Sequence, residues 1–442
     1  MLSPLETDFV RRDPALPGLG IVLDPGALVE NLQRSLSRTD LGPARITYIK
    51  YKRGIVCLVG YKLSAGGTDV DMYAKAFGAD ASVKLEKARE QPGLPGALGT
   101  GRIPLDDDQI VVSVFPNDGK VKALPILMDV EARRHLLGRI LARHGGFPDG
   151  RLEGLAYKPE RRYVARLLTG AGPRALLKFY TQPGYEDVAQ RHCEPFEERP
   201  PLRLSAWIGK SSRRAVMAFE WLPGALLSEA IRDPDFDDRA LVTVGAAIAQ
   251  LHAQSHAGLP HVTHRIQANA LVSEASVIGV ICPHLAPEAA AASRRIASHL
   301  IERPPVFSLI HADLHPRQVL LSDDSAAILD LDRTVYADPM TDLGLFASYL
   351  ERDVIRGNLT AARVERLMQA LIEGYTSITH QPVAEDEIRL YTAAELVRLA
   401  PRFFRDWERD WPERIESSLR RAEALLTQTS ASKPAMSGRA SR

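Results

Sequence analysis

The 442-residue chain reads as an α+β protein, β-rich in its first half and helical in its second, on three observations. From Ile46 to Phe77, and again from Tyr157 to Tyr180, runs rich in β-branched and aromatic residues alternate with Gly-bearing or polar turns, the texture of antiparallel meanders. Beyond Gly224 apolar residues recur at helical spacing, as at Leu241, Val244, Ile248 and Leu251. Amid the helical half lies one dense polar motif, His311-Ala-Asp313-Leu-His315-Pro-Arg-Gln318, followed after further apolar residues by Asp330.

Residues 1–40 are Pro- and Gly-punctuated and read as a lead-in segment with one amphipathic helix from Gly26 to Ser37. A β-rich lobe over 41–148 follows. It comprises strands at Ile46–Tyr51, Ile55–Tyr61 and Val70–Phe77, a helix at Ala81–Glu90, strands at Gln109–Phe115 and Val121–Leu127, and a helix at Glu131–His144. The order then begins again in a lobe over 149–224. Tyr51-Lys-Arg-Gly leads to Lys75 in 24 residues, and Tyr157-Lys-Pro-Glu leads to Lys178 in 21. The first lobe is therefore either a duplicate of the second or a meander of similar composition that also ends in an exposed lysine. After a helix at Tyr185–Glu194, the strand Arg214–Glu220 stops at Pro223-Gly224. Residues 225–428 form a helical lobe, with further apolar stripes at Val364, Leu367, Leu371 and Tyr375 and at Ile415, Leu419, Ala422 and Leu426. Residues 429–442 are small and polar without periodicity and are expected to be a disordered tail.

Composition narrows the function classes. The 56 Lys and Arg balance 55 Asp and Glu, so no global basic field argues for a nucleic-acid or anionic-membrane partner. Cys57, Cys193 and Cys282 are scattered and form no C-x-x-C pair, which argues against a zinc site or disulfide framework and for a reducing, cytoplasmic setting. No apolar stretch reaches the ~18 residues of a membrane span.

The motif carries the chemistry. Asp313 stands in a loop after an apolar strand, bracketed by two histidines, and is the candidate base or hydroxyl-orienting residue. Gln318 offers an amide oxygen and Asp330, at the end of Ala327-Ile-Leu, a carboxylate. Together they form the hard oxygen set that Mg²⁺ takes alongside phosphate oxygens. A base plus a metal site is the division of labour of phosphoryl transfer. Asp338 and Asp342 read as structural groups that cap a helix and bond into the loop.

The ordered combination His311-x-Asp313-x-His315-Pro-x-Gln318, Ile-Leu-Asp330 and Asp338-Pro-x-x-Asp342-Leu-Gly resembles the aminoglycoside phosphotransferase and choline kinase superfamily. The resemblance runs from about residue 150 to 425. It implies a protein-kinase-like bilobal fold, with a β-rich N-lobe that binds ATP and a helical C-lobe that holds a small-molecule hydroxyl acceptor; the β-rich lobe over 41–148 is additional to it. It further implies that Lys178 meets the nucleotide phosphates, Asp313 is the catalytic aspartate, and Gln318 and Asp330 hold Mg²⁺. The hinge facing adenine falls at Phe219, Glu220, Trp221 and Leu222. The acidic partner of Lys178 is Glu194, at the more family-like separation of 16 but followed by Pro195, or Glu186, which lies more surely on the helix. Two departures stand out. Gln318 replaces the family's usual Asn, and the phosphate-covering turn, Tyr157-Lys-Pro-Glu-Arg-Arg, lacks glycines, leaving Lys158, Arg161 and Arg162 as the charges there.

Three rival readings compete. Asp330-Leu-Asp332-Arg-Thr334 resembles the nucleophile motif of haloacid-dehalogenase-type phosphatases, which requires alternating strands and helices downstream. His311, Asp313 and His315 form a possible metallohydrolase set. Gln318, the turn and the extra lobe are also compatible with a nucleotide-binding scaffold of weak or no activity.

Overall fold

The computed structural model describes residues 1–147, 149–322 and 324–431. Contacts group the chain into two compact units, one of Met1–Asp187, Ala206–Trp221 and Phe404–Arg409, the other of Val188–Ser205, Leu222–Phe403 and the chain from Asp410. The first unit thus holds both β-rich lobes, expected as separate lobes over 41–148 and 149–224. The division at the hinge falls between Trp221 and Leu222, three residues before the expected boundary.

The elements leading into the hinge are α1 (Pro4–Arg11), α2 (Leu19–Leu23), α3 (Pro25–Leu36), β1 (Leu41–Lys52), β2 (Val56–Ala65), β3 (Thr68–Phe77), α4 (Ala81–Glu90), β4 (Arg102–Leu105), β5 (Ile110–Val114), α5 (Val130–Ile140), β6 (Arg151–Lys158), β7 (Arg162–Thr169), β8 (Gly172–Tyr180), α6 (Gln182–Arg191), β9 (Leu202–Leu204), β10 (Trp207–Ser211) and β11 (Val216–Glu220). The first unit contains two five-stranded sheets, β1-β2-β3-β5-β4 and β6-β7-β8-β11-β10. Both are antiparallel throughout, and in both a helix follows the third strand and the fifth strand to be made inserts beside the third. Lys75 pairs with Leu58 and Val111, Lys178 with Val164 and Met217, so the two lysines stand on corresponding central strands.

Differences from the expected elements have local causes. The lead-in is three helices whose Phe9, Leu19, Leu23, Leu28 and Leu32 are buried, and the Tyr61 hydroxyl on β2 donates to the Val22 carbonyl. The strand expected at Val121–Leu127 is a 3₁₀ turn over Leu124–Met128, since Pro125 cannot donate to a ladder. The edge strand β4, only four residues long and carrying Pro104, lacks a sequence signal strong enough to mark it. Of the expected tail over 429–442, residues 429–431 belong to the last helix, whose backbone hydrogen bonds run on past the apolar stripe, and the rest from 432 lies outside the described residues.

One carboxylate joins the two sheets. Asp118, 5% exposed, accepts from the Lys120 and Val121 amides at 2.7 and 2.8 Å through one oxygen. Through the other it accepts from the Tyr157 hydroxyl at 2.7 Å and the Glu160 amide at 2.8 Å. Glu160, at the tip of the β6–β7 turn with φ +56°, in turn accepts from Lys75 Nζ at 3.0 Å. Behind this seam the segment from Val121 through α5 packs Leu124, Leu136, Leu137 and Leu141 against Leu167, Leu177, Phe179 and Val216 of the second sheet.

The second unit contains β12 (Ala225–Leu226), α7 (Leu227–Ala230), α8 (Ala240–His252), α9 (His264–Ile281), α10 (Ala286–Ile301), β13 (Ser308–Ile310), β14 (Val319–Ser322), β15 (Ser325–Ile328), β16 (Val335–Ala337), α11 (Met340–Ile355), α12 (Ala361–Thr379), α13 (Glu385–Leu399), the first two residues of α14 (Arg402–Arg405) and α15 (Trp411–Ala431). Its three expected apolar stripes are buried on α8, α12 and α15. Helices α8 and α12 approach until a Cβ on Gly374 would stand 1.8 Å from the Val242 carbonyl, and one on Gly245 1.9 Å from that of Leu371. That contact lets His252, at the end of α8, meet Tyr375 of α12. The strands are two small sets, β12-β14-β15-β9 and β13-β16.

Asp118→Ala should lower unfolding stability by about 3–5 kcal/mol, because four donors lose a buried charged acceptor. Urea denaturation measures it, and a loss under ~1 kcal/mol would contradict the seam described.

Candidate active site

The motif leaves β13 at Ile310 and turns at once. Ala312 has φ +60°, a left-handed conformation uncommon for a residue with a side chain, and Asp330 after β15 has φ +64°. The first turn is held by Asp342 on α11, which has no solvent exposure. Its carboxylate accepts from the His311 amide at 2.6 Å and the Ala312 amide at 2.9 Å, and His252 Nε2 donates to it at 3.2 Å. Asp338 does the complementary job at the start of the same helix. It accepts from the Met340 amide at 2.9 Å, the Tyr391 hydroxyl at 2.7 Å and His264 Nε2 at 3.0 Å. Both aspartates are therefore structural groups of the kind their spacing suggests.

His311 is the bridge between the two candidate carboxylates. Its Nε2–H donates to the Leu329 carbonyl at 2.7 Å, and its Nδ1 accepts from the Asp313 amide at 3.2 Å, a pattern that selects the neutral Nε2–H tautomer. One buried ring thus ties the backbone of Asp313 to the residue before Asp330. Gln318 closes the arrangement: its amide donates to the His315 carbonyl at 2.8 Å, its own carbonyl accepts from the Leu329 amide at 2.8 Å, and its side-chain Nε2 donates to Asp330 Oδ2 at 3.3 Å. Gln318 and Asp330 are side by side as expected.

Asp313 has surroundings the sequence did not announce. Its Oδ1 is 3.5 Å from Arg402 Nη2 and its Oδ2 4.0 Å from Arg333 Nε. Burial pushes its carboxyl up, but the guanidiniums of Arg402 and Arg333 outweigh burial and hold it below the ordinary carboxylate value. Asp313 is consequently ionised at neutral pH, while its buried Oδ1, beside Arg402, has no hydrogen-bond donor among the described residues. Arg402 also donates to the Tyr349 hydroxyl, and the His315 ring lies 4.4 Å from that of Tyr349. Burial pushes His315 down to about 3, so it stands neutral. Arg402 and Tyr349 follow Asp313 by many residues with no motif to connect them, and helices α11 and α14 bring them there.

Two rival readings lose their support. Both His311 nitrogens are engaged, His315 is packed on Tyr349, and no group of three or more His, Cys, Asp or Glu suited to a metal occurs among the described residues. For the phosphatase motif, the described strands around Asp330 are antiparallel hairpin partners except for the short β9–β15 pair, and Asp332 is 7% exposed and faces His192 at 3.8 Å.

In the first unit, Lys178 is 4% exposed, with Nζ 4.7 Å from the centre of the Phe219 ring. Glu186 is on α6 as expected, but exposed and accepting from Gln182 at 3.1 Å. Glu194 lies past the end of α6, where its carboxylate accepts from the Ala257 amide at 3.4 Å. Neither contact is to Lys178. At the hinge the Glu220 amide donates to Ala206 at 2.8 Å and the Trp221 amide to Arg174 at 3.3 Å, whereas the Leu222 amide has no acceptor among the described residues.

The sequence profile of the phosphotransferase enzyme family matches residues 160–414. Comparison with curated proteins gives no match. Among solved structures, a candidate aminoglycoside phosphotransferase from Ralstonia eutropha superposes with a TM-score of 0.50 at 14% identity, covering 69% of this chain and 99% of that one. A choline kinase from Cryptosporidium parvum gives 0.48 at 9% identity, covering 69% and 97%. A choline/ethanolamine kinase family protein from Mesorhizobium loti gives 0.44 at 16%, covering 68% and 97%. The family match together with the Ralstonia eutropha superposition makes the fold protein-kinase-like.

Arg402→Ala removes the strongest of the cations opposing burial at Asp313, so the Asp313 carboxyl should titrate at higher pH, measured by ¹³C carboxyl shifts; an unmoved titration would exclude that guanidinium as the cause. His315 gives a second, opposite-probe measurement. Between pH 6.5 and about 3 the unfolded chain takes up a proton that the folded chain refuses, so stability falls as pH drops through that window. His315→Asn should flatten this acid limb by roughly one proton, ~1.4 kcal/mol per pH unit at most.

Proposed function

The chain belongs to the phosphotransferase enzyme family, and we propose that it transfers the terminal phosphoryl group of ATP to a hydroxyl group of a small molecule, with an aminoglycoside, a sugar or an amino alcohol as the acceptor class. The observation that carries this reading is the His311 bridge, which ties Asp313 and the Asp330–Gln318 pair to one ring. Asp313 is an ionised carboxylate with a buried oxygen lacking a donor, and the acceptor's hydroxyl is the donor it would orient and relieve of its proton. Its anchoring through His311 keeps that oxygen in place without reorganisation.

Asp330 and Gln318 supply a carboxylate and an amide oxygen, the donors Mg²⁺ prefers. The long 3.3 Å contact between them is readily exchanged for shared coordination. When bound, the ion would neutralise charge on the transferring phosphate. Lys178, Phe219, Glu220, Trp221 and Leu222 form the proposed nucleotide-facing set, with the unengaged Leu222 amide the group for a backbone contact to adenine. Glu186 and Glu194 remain the two proposed acidic partners of Lys178, each needing to leave its present acceptor role. A reducing cytoplasm, with no nucleic-acid or membrane partner, fits this activity; no helix among the described residues is long and apolar enough to cross a membrane. The competing reading is a nucleotide-binding scaffold, favoured by Gln318 and by a phosphate-covering turn fixed through Glu160.

Purified protein assayed with Mg-ATP against a library of hydroxyl compounds should phosphorylate at least one. Asp313→Asn should cut kcat by about 10²–10⁴ with nucleotide binding retained. Asp330→Ala should abolish Mg²⁺-dependent turnover. Full activity in both variants would refute the residue roles, and nucleotide binding without turnover on any acceptor would favour the scaffold.

A further inference from the structure

A second concave site lies wholly within the first unit, at the corner where α5 meets the β10–β11 connection. It is a cavity of about 340 Å³. Its rim is built from five basic residues, His135 and Arg139 on α5, Lys210 on β10, and Arg213 and Arg214 in the 3₁₀ turn that follows; no carboxylate lines it. His135 and Arg139 are four residues apart and share a helix face. The floor is apolar, with Ile126, Leu136 and Ile140, and Tyr185 of α6 forms a further part of the wall.

The charge is local and uncompensated. The chain carries 56 Lys and Arg against 55 Asp and Glu, so a wall of one sign is not a sample of its average surface. Exposed arginines elsewhere find carboxylates: Arg239 meets Glu373, Arg366 meets Asp238, and Arg420 meets Glu416. The guanidiniums of Arg139, Arg213 and Arg214 have no hydrogen-bond or ion-pair partner among the described residues, and Lys210 lies over the Trp207 ring at 4.4 Å. Like charges gathered around one cavity repel, and an anion seated among them relieves that repulsion. Guanidinium forks match phosphate oxygens in pairs. An apolar floor with an aromatic wall suits the carbon part of a ligand, and the volume lies in the range of small-ligand pockets.

We propose that this cavity binds a small phosphate monoester bearing an apolar group, with the phosphate held by Arg139, Arg213 and Arg214 and the organic group over Leu136 and Ile140. The site is independent of the phosphotransferase residues and does not rest on their assignment.

Isothermal titration of the full chain with phenyl phosphate, inorganic phosphate and phenol tests it. Phenyl phosphate should bind more tightly than either fragment. Arg213→Ala with Arg214→Ala, both at exposed positions, should weaken binding by at least about tenfold. Ala132→Trp, which occupies the cavity and keeps every charge, should weaken it comparably, while Asp330→Ala should leave it unchanged. Absence of phenyl phosphate binding overturns the proposal. So does equal affinity for inorganic phosphate, which would reveal charge without a cavity, or an affinity that survives the arginine changes or falls only with Asp330→Ala.

Discussion

The second unit depends on one carboxylate that water does not reach. Asp342 sits within the first turn of α11 with no exposure and accepts from two successive backbone amides and one histidine. A buried ion so placed is worth keeping only because its donors are in place, and the His311 and Ala312 amides have no other acceptor among the described residues. Directly after these two held amides the chain turns sharply, with Ala312 in the left-handed region. Everything downstream is registered on that turn, from the His311 ring to Asp313 and, through Leu329, to Asp330.

Helix α11 therefore acts as a ruler with two marks. Asp338, just before it, reaches α9 and α13 through His264 and Tyr391, and Asp342 reaches the motif and α8. The close α8–α12 crossing adds a third constraint, since His252 is held between Tyr375 and Asp342. Long-range packing and the polar loop are thus one system, and a small shift of α8 would be felt at His311 through these bonds.

What was legible in the sequence was whatever repeats or clusters locally. The helical stripes of α8, α12 and α15 follow from spacing alone, and the polar motif advertises itself because Asp313, Gln318 and Asp330 lie within 18 residues. The duplicated strand order was foreshadowed by two similar Tyr-Lys to Lys spacings. What was not legible is whatever two distant segments make together. Arg402 and Tyr349 look like ordinary helix residues until folding sets them against Asp313 and His315. Asp118 reads as a turn aspartate, although it joins two sheets. The apolar run Val121–Leu127 resembles a strand, but Pro125 lacks the amide a ladder needs, and the residues instead cover the second sheet.

That cover separates the unit of homology from the unit of folding. The family profile begins at residue 160, inside the β6–β7 turn, yet the turn's Glu160 is held from Lys75 and Asp118, and the sheet behind it is roofed by residues 121–141. The lysine that stands in the first sheet at the strand position of Lys178 serves there as a tether. A chain cut at residue 160 would leave behind both the residues that roof the second sheet and those that hold Glu160, so the boundary of a sequence match is not the boundary of a core.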